Sequence, residues 1–495
     1  MNMQRTALHC LIAAMVLVSA ESALAQKSFS RGPSSNISVN RPTGPSGGGD
    51  FRGGGNRGPG WGGIVPGIIV AVPQGYPPHG PSFDGGPYGP SRSQQANRRG
   101  SRGAPPANER RLVPDEVVIE LSNSFNAQQI DALQRRHRLT RIESQALQLS
   151  GTTLYRWHIP DRRSVATVVR ALEADRVVAS AQPNYLFTLQ DGEVKSEGVR
   201  NEGDAAQYEL AKLHLPQAHA LAKGDNVLIA VIDSGIDANH PELAGSIADS
   251  FDTLEAAKAP HQHGTAVAGL IAAHGKLMGA APEARILAVR TFDPAGAAAE
   301  GTTFNILKGL DWAVAHGARI INMSFAGPSD PAVHRALESA HKKGIVLVAA
   351  AGNAGITSPP LYPAADPNVI AVAATDADDK LFEQSNRGRH IAISAPGAQI
   401  MVAVPDSGYE VSSGTSYSAA EVSGIVALML QRKADLTPDQ VRAILRATAK
   451  DLGPKGPDIM FGAGLADAFG ALTAETAPVA AAGARPIERV STGTR

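Results

Sequence analysis

The spacing of apolar residues divides the middle of the chain into two regions. From residue 113 to 190, strand-like apolar runs alternate with segments of helical spacing, such as Val165, Val168 and Leu172. The resulting order β-α-β-β-α-β predicts a small ferredoxin-like α+β domain. Residues 191–206 are polar and contain glycine, which is typical of a linker.

Residues 207–472 follow a different pattern, in which continuous apolar runs alternate with helical segments. The run 227–232 has no polar position, as expected for a strand buried on both faces of a sheet. Further strands are predicted at 285–289, 319–323, 345–350 and 369–373, and helices at 265–273, 303–316, 332–342 and 438–449. The alternation predicts an α/β domain with a mostly parallel sheet and helices on both faces. In such sheets, functional sites form at the carboxyl ends of the strands.

The first 25 residues have the composition of an export signal. Arg5 precedes an apolar run at 7–18, and Ala23-Leu24-Ala25 follows as a small-residue cleavage site. The run is too short to span a bilayer comfortably, which favours a cleaved signal peptide over a membrane anchor. The only cysteine, Cys10, lies in this segment, so we expect the exported protein to lack disulfide bonds.

Two further segments lack the pattern of a folded domain. Residues 26–112 are rich in glycine and proline and carry eleven Lys and Arg against three Asp and Glu, which predicts a disordered basic leader. The leader could serve as a solvated spacer or touch anionic cell surfaces. The tail 473–495 is rich in alanine and proline and is also predicted to be disordered. Over the whole chain 46 basic residues balance 46 acidic ones, so the charge indicates no nucleic-acid partner.

Ser416 is the first candidate for chemistry. It follows Gly414 and Thr415 and precedes an apolar helical run at 425–430. A serine at this position can cap the helix, or it can act as a nucleophile beside the positive end of the helix dipole. Only partner residues elsewhere in the chain distinguish the two interpretations.

Three such partners lie at the ends of predicted elements. Asp233 directly follows the first strand of the large domain, His263 opens a helix, and Asn353 follows a later strand. A histidine can accept the serine proton, an aspartate can orient the imidazole, and an amide can stabilise an oxyanion. His261, two residues before His263, is an alternative base but lacks the Gly-Thr that follows His263.

These residues give the sequence a resemblance to the subtilases, the subtilisin family of serine peptidases. The segments that carry the resemblance are Asp233-Ser234-Gly235, His263-Gly264-Thr265, Asn322-Met323-Ser324-Phe325, Ala351-Gly352-Asn353, Ala395-Pro396-Gly397 and Gly414-Thr415-Ser416. The resemblance implies a catalytic triad of Asp233, His263 and Ser416, with Asn353 and the Ser416 amide binding the oxyanion. It also implies that substrate lies against Ser324, Phe325, Ala326, Gly327, Ala351 and Gly352.

The sequence departs from the family pattern in two places. Tyr417-Ser418-Ala419-Ala420-Glu421 stands where Met-Ala-Ala-Pro-His is usual, so a proline is lost and an acid replaces a common histidine. Phe325 stands where leucine is common, and we expect it to narrow the substrate pocket.

The resemblance also implies how the protein is made. Subtilases are often synthesised with a ferredoxin-like propeptide that assists folding and inhibits until it is cleaved, and 113–190 fits this role. Gln182-Pro183-Asn184-Tyr185 resembles the end of such a propeptide, and self-cleavage is predicted between about Thr188 and Gln207. Calcium sites are common in the family, and Asp237 or Asp252 could contribute, but no dense carboxylate cluster identifies the ligands.

Two hypotheses follow. The first is an exported serine endopeptidase, a monomer without a required cofactor, acting on proteins or peptides and restrained by its own propeptide. The second is an inactive subtilase scaffold that binds surfaces through its basic leader. The complete set of Asp233, His263, Ser416 and Asn353 favours the first.

Overall fold

The computed structural model describes residues 103–190, 207–254, 259–294 and 299–474. The predicted signal peptide and linker, with most of the predicted leader and tail, lie outside these ranges.

The first described region has the predicted element order. Its elements are β1 (Leu112–Ser122), α1 (Ala127–His137), β2 (Thr140–Leu147), β3 (Thr152–His158), α2 (Val165–Glu173) and β4 (Ser180–Leu189). The strands form an antiparallel sheet in the order β4-β1-β3-β2. The apolar residues of α2 that were spaced for a helix are all buried, in a core shared with Ile119 and Trp157. This region is called the small domain below.

The second region is a larger α/β domain. Its strands are β5 (Leu228–Asp233), β6 (Ile247–Asp252), β7 (Arg285–Arg290), β8 (Glu300–Thr302), β9 (Ile320–Met323), β10 (Phe325–Ala326), β11 (Val346–Ala350), β12 (Val369–Thr375), β13 (Ile391–Pro396), β14 (Ile400–Val404) and β15 (Gly408–Ser412). Its helices are α3 (Tyr208–Lys212), α4 (Leu215–His219), α5 (Gln262–Ala272), α6 (Thr303–Ala315), α7 (Pro331–Lys342), α8 (Thr415–Arg432), α9 (Pro438–Thr448) and α10 (Ala468–Thr473), with a 3₁₀ turn at Pro241–Leu243.

Seven of these strands form a parallel sheet, which confirms the predicted fold class. Their order is β13-β12-β11-β9-β5-β7-β6. Helices α5 and α8 pack on one face, and α6 and α7 pack on the other. The chain leaves β5 toward β6 and β7 and later returns to β9 on the other side of β5. A crevice therefore opens at the carboxyl end of β5, where this fold class places its sites.

Strand β4 connects the two regions. Its first half pairs with β1, whereas its second half pairs antiparallel with two short strands of the large domain, β8 on one side and β10 on the other. Phe187 lies opposite Gly301, and Leu189 lies opposite Phe325. Apolar residues on the outer face of the small domain's sheet, such as Val118 and Leu154, belong to the same hydrophobic core as residues of α6 and α7.

Two polar side chains of β4 also satisfy the first turns of the helices beneath it. The Asn184 Oδ1 accepts a hydrogen bond from the Phe304 N–H at the start of α6, at 3.1 Å. The Gln182 Oε1 accepts one from the Ala332 N–H at the start of α7, at 3.0 Å. The first N–H groups of a helix have no backbone partner within it, so β4 supplies an acceptor to both helix ends. At α7 the N-cap residue Asp330 supplies a second acceptor to the Ala332 N–H, at 2.9 Å.

Within the described ranges, no helix combines the length and the apolar character needed to cross a membrane.

Candidate active site

Asp233 and His263 form a buried hydrogen-bonded pair at the carboxyl edge of the sheet. Asp233 is the last residue of β5, and His263 is the second residue of α5. The Asp233 Oδ1 lies 2.7 Å from the His263 Nδ1, and both side chains are 0% exposed. The same carboxylate oxygen accepts hydrogen bonds from the Ser234 N–H at 2.7 Å and from its hydroxyl at 3.1 Å. The carboxylate is thus held in one orientation, and its contact leaves the His263 Nε2 as the nitrogen available for proton transfer.

His261 has a different environment from His263. It is the N-cap residue of α5, and its Nδ1 accepts a hydrogen bond from the His263 N–H at 3.4 Å. The same nitrogen lies 3.1 Å from the Ser234 Oγ. Asp233 therefore pairs with His263, and His261 caps the helix that carries it.

Ser416 is the second residue of the buried helix α8. The N-cap residue is Gly414 and makes no side-chain capping bond, so the interpretation of Ser416 as a helix cap is wrong. Its hydroxyl instead donates hydrogen bonds to the carbonyl oxygens of Gln190 at 3.0 Å and Ser324 at 3.2 Å. The hydroxyl lies at the positive end of an 18-residue helix, where developing negative charge is stabilised.

Asn353 completes the surroundings of the Gln190 carbonyl. The Asn353 Nδ2 donates a hydrogen bond to this oxygen at 2.8 Å. The Asn353 Oδ1 accepts hydrogen bonds from the Thr415 N–H at 3.0 Å and the Thr415 hydroxyl at 2.8 Å. Thr415 thereby fixes the orientation of the Asn353 amide, with Oδ1 toward Thr415 and Nδ2 toward the Gln190 carbonyl. One peptide carbonyl at the end of the small domain thus lies between the nucleophile candidate and the oxyanion candidate.

Ser324, Phe325 and Ala326, which the sequence predicted to bind substrate, all lie along β4. The Ser324 carbonyl accepts a hydrogen bond from the Gln190 N–H at 3.3 Å. Phe325 and Ala326 form β10 and pair with β4. The Phe325 ring contacts the Phe187 ring edge-on, with centroids 5.9 Å apart. Phe325 therefore lines the site occupied by Phe187, three residues before Gln190.

The three remaining predicted residues shape the space around this strand. At Gly327 an added Cβ would come within 2.3 Å of the Phe187 ring, so only glycine leaves room for that side chain. Gly352 has a φ of +106°, and an added Cβ there would lie 2.3 Å from the Asn386 Nδ2. The Gly352 N–H donates to the Thr415 hydroxyl at 3.1 Å, and Ala351 beside it is fully buried.

The unusual residues after Ser416 fit a regular helix. The Ser418 hydroxyl donates hydrogen bonds to the carbonyl oxygens of Ala395 at 2.9 Å and Pro396 at 3.0 Å. The Tyr417 hydroxyl lies 2.9 Å from the Ser412 Oγ, and its ring tilts over His263 with centroids 6.2 Å apart. Without a proline, α8 runs unbroken from Thr415 to Arg432.

Glu421, which replaces the common histidine, is buried in the core beside a second acid. Burial raises the pKa of the Glu421 carboxyl well above its usual range, and the nearby Glu209 raises it further. Burial also raises the pKa of Glu209, on α3, to about 7. Because the two acids interact, they titrate as a pair. Burial therefore favours the uncharged form of Glu421.

The two aspartates considered for calcium are engaged with other groups. The Asp252 Oδ2 forms an ion pair with the Arg290 Nη1 at 2.6 Å. The Asp237 carboxylate accepts hydrogen bonds from the N–H groups of Asn239 and Asp406. Among the described residues, no group of three or more His, Cys, Asp or Glu side chains could hold a metal ion.

Sequence reasoning did not single out Gln190, Phe187 or β8, and it selected the residues of β10 as substrate-binding residues without predicting their pairing with β4. The last of the strand-like runs in the small domain, at 177–189, did predict a strand that ends just before Gln190. The partners of that strand had no comparable signal, because β8 and β10 are only three and two residues long.

Comparisons with known proteins agree with this geometry. Residues 224–464 match the Subtilase family. The chain is 36% identical over 258 residues to thermitase from Thermoactinomyces vulgaris, covering 50% of this chain and 90% of thermitase. It is also 36% identical over 308 residues to the minor extracellular protease Epr from Bacillus subtilis, covering 60% of this chain. That match spans only 47% of the length of Epr.

Among solved structures, fervidolysin from Fervidobacterium pennivorans has a similar fold. The TM-score is 0.64 at 24% sequence identity, over 76% of this chain and 63% of fervidolysin. At this identity the similarity concerns the fold alone.

Proposed function

The chain belongs to the subtilase family of serine peptidases, and on that premise we propose that it is an endopeptidase made as a self-processing zymogen. In this proposal Asp233, His263 and Ser416 form the catalytic triad, and the small domain is the propeptide. The bond cut during maturation joins Gln190 to Asp191, inside the interval predicted from the sequence. Substrates of the mature enzyme are proteins or peptides.

The observation that carries the proposal is the position of the Gln190 carbonyl. Its oxygen accepts hydrogen bonds from the Ser416 hydroxyl at 3.0 Å and the Asn353 Nδ2 at 2.8 Å. On either side β4 is paired with β8 and β10, as an extended peptide substrate would be. The small domain therefore blocks the crevice with the same segment that is to be cut.

The chemistry assigned to these residues is acyl transfer. His263 Nε2 takes the Ser416 proton as the Ser416 Oγ attacks the Gln190 carbonyl carbon. The negative oxygen that forms is stabilised by the Asn353 Nδ2 and the Ser416 N–H, at the positive end of α8. Asp233 stabilises the imidazolium through its 2.7 Å contact with Nδ1.

The reaction is then completed in two steps, collapse of the tetrahedral intermediate and hydrolysis of an ester. The bond from the Gln190 carbon to the Asp191 nitrogen breaks, and His263 gives its proton to the leaving amine. Gln190 remains as an ester on Ser416 until water, activated by His263, hydrolyses that ester. The products are a small domain ending in the Gln190 carboxylate and a large domain beginning at Asp191.

Export is part of the proposal. It is supported by the charged, apolar and small-residue segments of residues 1–25 and by the match to an extracellular protease. The location of the product can be measured by fractionating the producing cells.

The test follows the full chain by mass spectrometry, as wild type and as Ser416→Ala. We expect the wild type to yield a fragment beginning at Asp191 and the alanine form to stay uncut, because the substitution removes the proposed nucleophile. A serine-directed covalent probe should label only the wild type. If both chains stay uncut and neither is labelled, the inactive surface-binding scaffold becomes the correct interpretation.

A further inference from the structure

Gln190 is held by its side chain as well as by its carbonyl group. The side-chain Oε1 accepts a hydrogen bond from the main-chain N–H of Asn353 at 2.9 Å. The Nε2 donates to the carbonyl oxygens of Thr188 at 3.1 Å and Leu189 at 3.3 Å. The residue is only 9% exposed, so both ends of the amide have protein partners in a place largely closed to water.

Asn353 therefore contacts Gln190 at two points. Its main-chain N–H binds the side-chain oxygen, and its Nδ2 binds the carbonyl oxygen of the bond to be cut. Since Asn353 makes both contacts, the identity of the side chain at position 190 is coupled to the position of the reacting carbonyl. A coupling of this kind acts on kcat/KM and so gives specificity for a side chain.

We propose that glutamine is the residue this peptidase prefers immediately before the cut, in protein substrates as in its own chain. The Asn353 N–H is the group that recognises the glutamine side-chain oxygen. This inference rests on the proposed function and adds the substrate class to it.

Other side chains of similar length lose one part of this arrangement. Methionine and leucine offer no comparable oxygen, so the Asn353 N–H is left without an acceptor in a site closed to water. Glutamate offers an acceptor but cannot donate, and its charge would lie beside the carbonyl oxygens of Thr188 and Leu189. Asparagine is one methylene shorter and does not reach the same N–H while its carbonyl stays in place.

The first experiment uses a fluorogenic peptide with the sequence of residues 187–194, Phe-Thr-Leu-Gln-Asp-Gly-Glu-Val. The enzyme is the self-processed full chain, diluted until its activity is constant, and the Ser416→Ala chain is the blank. Replacing only the glutamine of the peptide by methionine, leucine or glutamate keeps Phe in place and so keeps the docking register. We expect kcat/KM to fall roughly 10- to 100-fold with methionine or leucine, the cost of one unpaired donor.

The second experiment measures self-processing in the full chain. Gln190→Met should slow the cut by a similar factor, whereas Gln148→Met, at an exposed position of the small domain, should leave the rate unchanged. Both variants make the same chemical change, so a general effect on folding would appear in both.

The outcomes separate the two levels of the proposal. If the methionine and leucine peptides are cut as fast as the glutamine peptide, the preference for glutamine is overturned and the peptidase assignment stands. If no peptide is cut and the serine-directed probe gives no label, the proposed function is overturned, and this inference with it.

Discussion

Asn353 donates one hydrogen bond to the Gln190 carbonyl and accepts two from Thr415. The amide therefore cannot turn over without breaking the bonds to Thr415. Because these bonds are made before any charge develops on the carbonyl oxygen, the donor is preorganised. Its removal should lower the rate of chemistry more than the affinity for substrate.

Asn353→Ala tests this point. We expect turnover to fall by about 10²–10³, the size found when the corresponding donor is removed from subtilisin itself, with little change in KM. The measurement is steady-state kinetics on the glutamine peptide, beside Asn353→Asp, which keeps the acceptor for Thr415 and loses the donor. A variant with unchanged kcat would contradict the role given to the Asn353 side chain.

The residues proposed for the candidate site could be selected from the sequence because each belongs to a short local motif. Asp233, His263, Asn353 and Ser416 lie at element ends that the apolar pattern located within a few positions. Gln190 carries no such motif, because its role arises only when β4 lies in the crevice. The raised pKa of Glu421 was also beyond sequence reasoning, since it depends on burial and on Glu209, more than 200 positions away.

At the scale of the element, α3 and α8 meet through these two acids. Helix α3 is the first helix described after residue 206. Both acids are buried and have folded-state pKa values above the ordinary value, which means that the folded protein binds protons more tightly than the unfolded chain. Their contribution to stability is therefore fully present below pH 4.5 and is lost as the pH rises through their folded-state values.

The free energy of unfolding should accordingly depend on Glu209 near neutral pH. With the pKa of Glu209 raised from 4.5 to about 7, the titration of Glu209 within this pair lowers the free energy of unfolding by about 3 kcal/mol between pH 4.5 and pH 7. Glu209→Gln, in a Ser416→Ala background that prevents self-cleavage, should make this part of the pH dependence disappear. Urea unfolding at pH 5 and pH 7 measures the change.

Glu383→Gln is the matched control, because Glu383 is exposed and the same charge is removed. It should keep the pH dependence of the parent chain. If the free energy of unfolding changes equally between pH 5 and pH 7 in Glu209→Gln and in the parent chain, the acid pair does not titrate in this pH interval.

Whether a strand could be predicted from the sequence depends on how that strand is stabilised. Strands β5, β11 and β12 are buried on both faces, so each appears as a continuous apolar run and was predicted within two residues of its bounds. Strands β8 and β10 are defined by pairing with β4. Non-local pairing leaves no local periodicity, and these two strands were missed for that reason.

At the scale of the whole molecule, Phe187 anchors the small domain to the large one. Its ring is fully buried in the cluster that includes Phe292 and Phe325, and Gly327 leaves the space for it. Phe187→Ala should weaken the binding of the cut small domain by about 10²–10⁴, since emptying such a site typically costs about 3–5 kcal/mol. We expect active enzyme to appear sooner after the cut.

Size-exclusion chromatography of the processed chain gives the fraction of small domain still bound. Ile142→Ala is the control, since Ile142 belongs to the same domain and is 45% exposed. Equal retention of wild-type and Phe187→Ala small domains would exclude Phe187 as the anchor.

The pairing of β4 on both edges has a consequence for the time course of maturation. Breaking the bond after Gln190 removes no hydrogen bond between β4 and β8 or β10. In the proposed function the cut occurs within one chain, so its rate should not depend on protein concentration. Release is reversible, because a departed small domain can rebind to any open crevice. Diluting a fresh preparation should therefore leave the time needed for the cut unchanged and shorten only the time needed for release. A gel, which detects the cut, and an activity assay, which detects release, should then show different time courses for one sample.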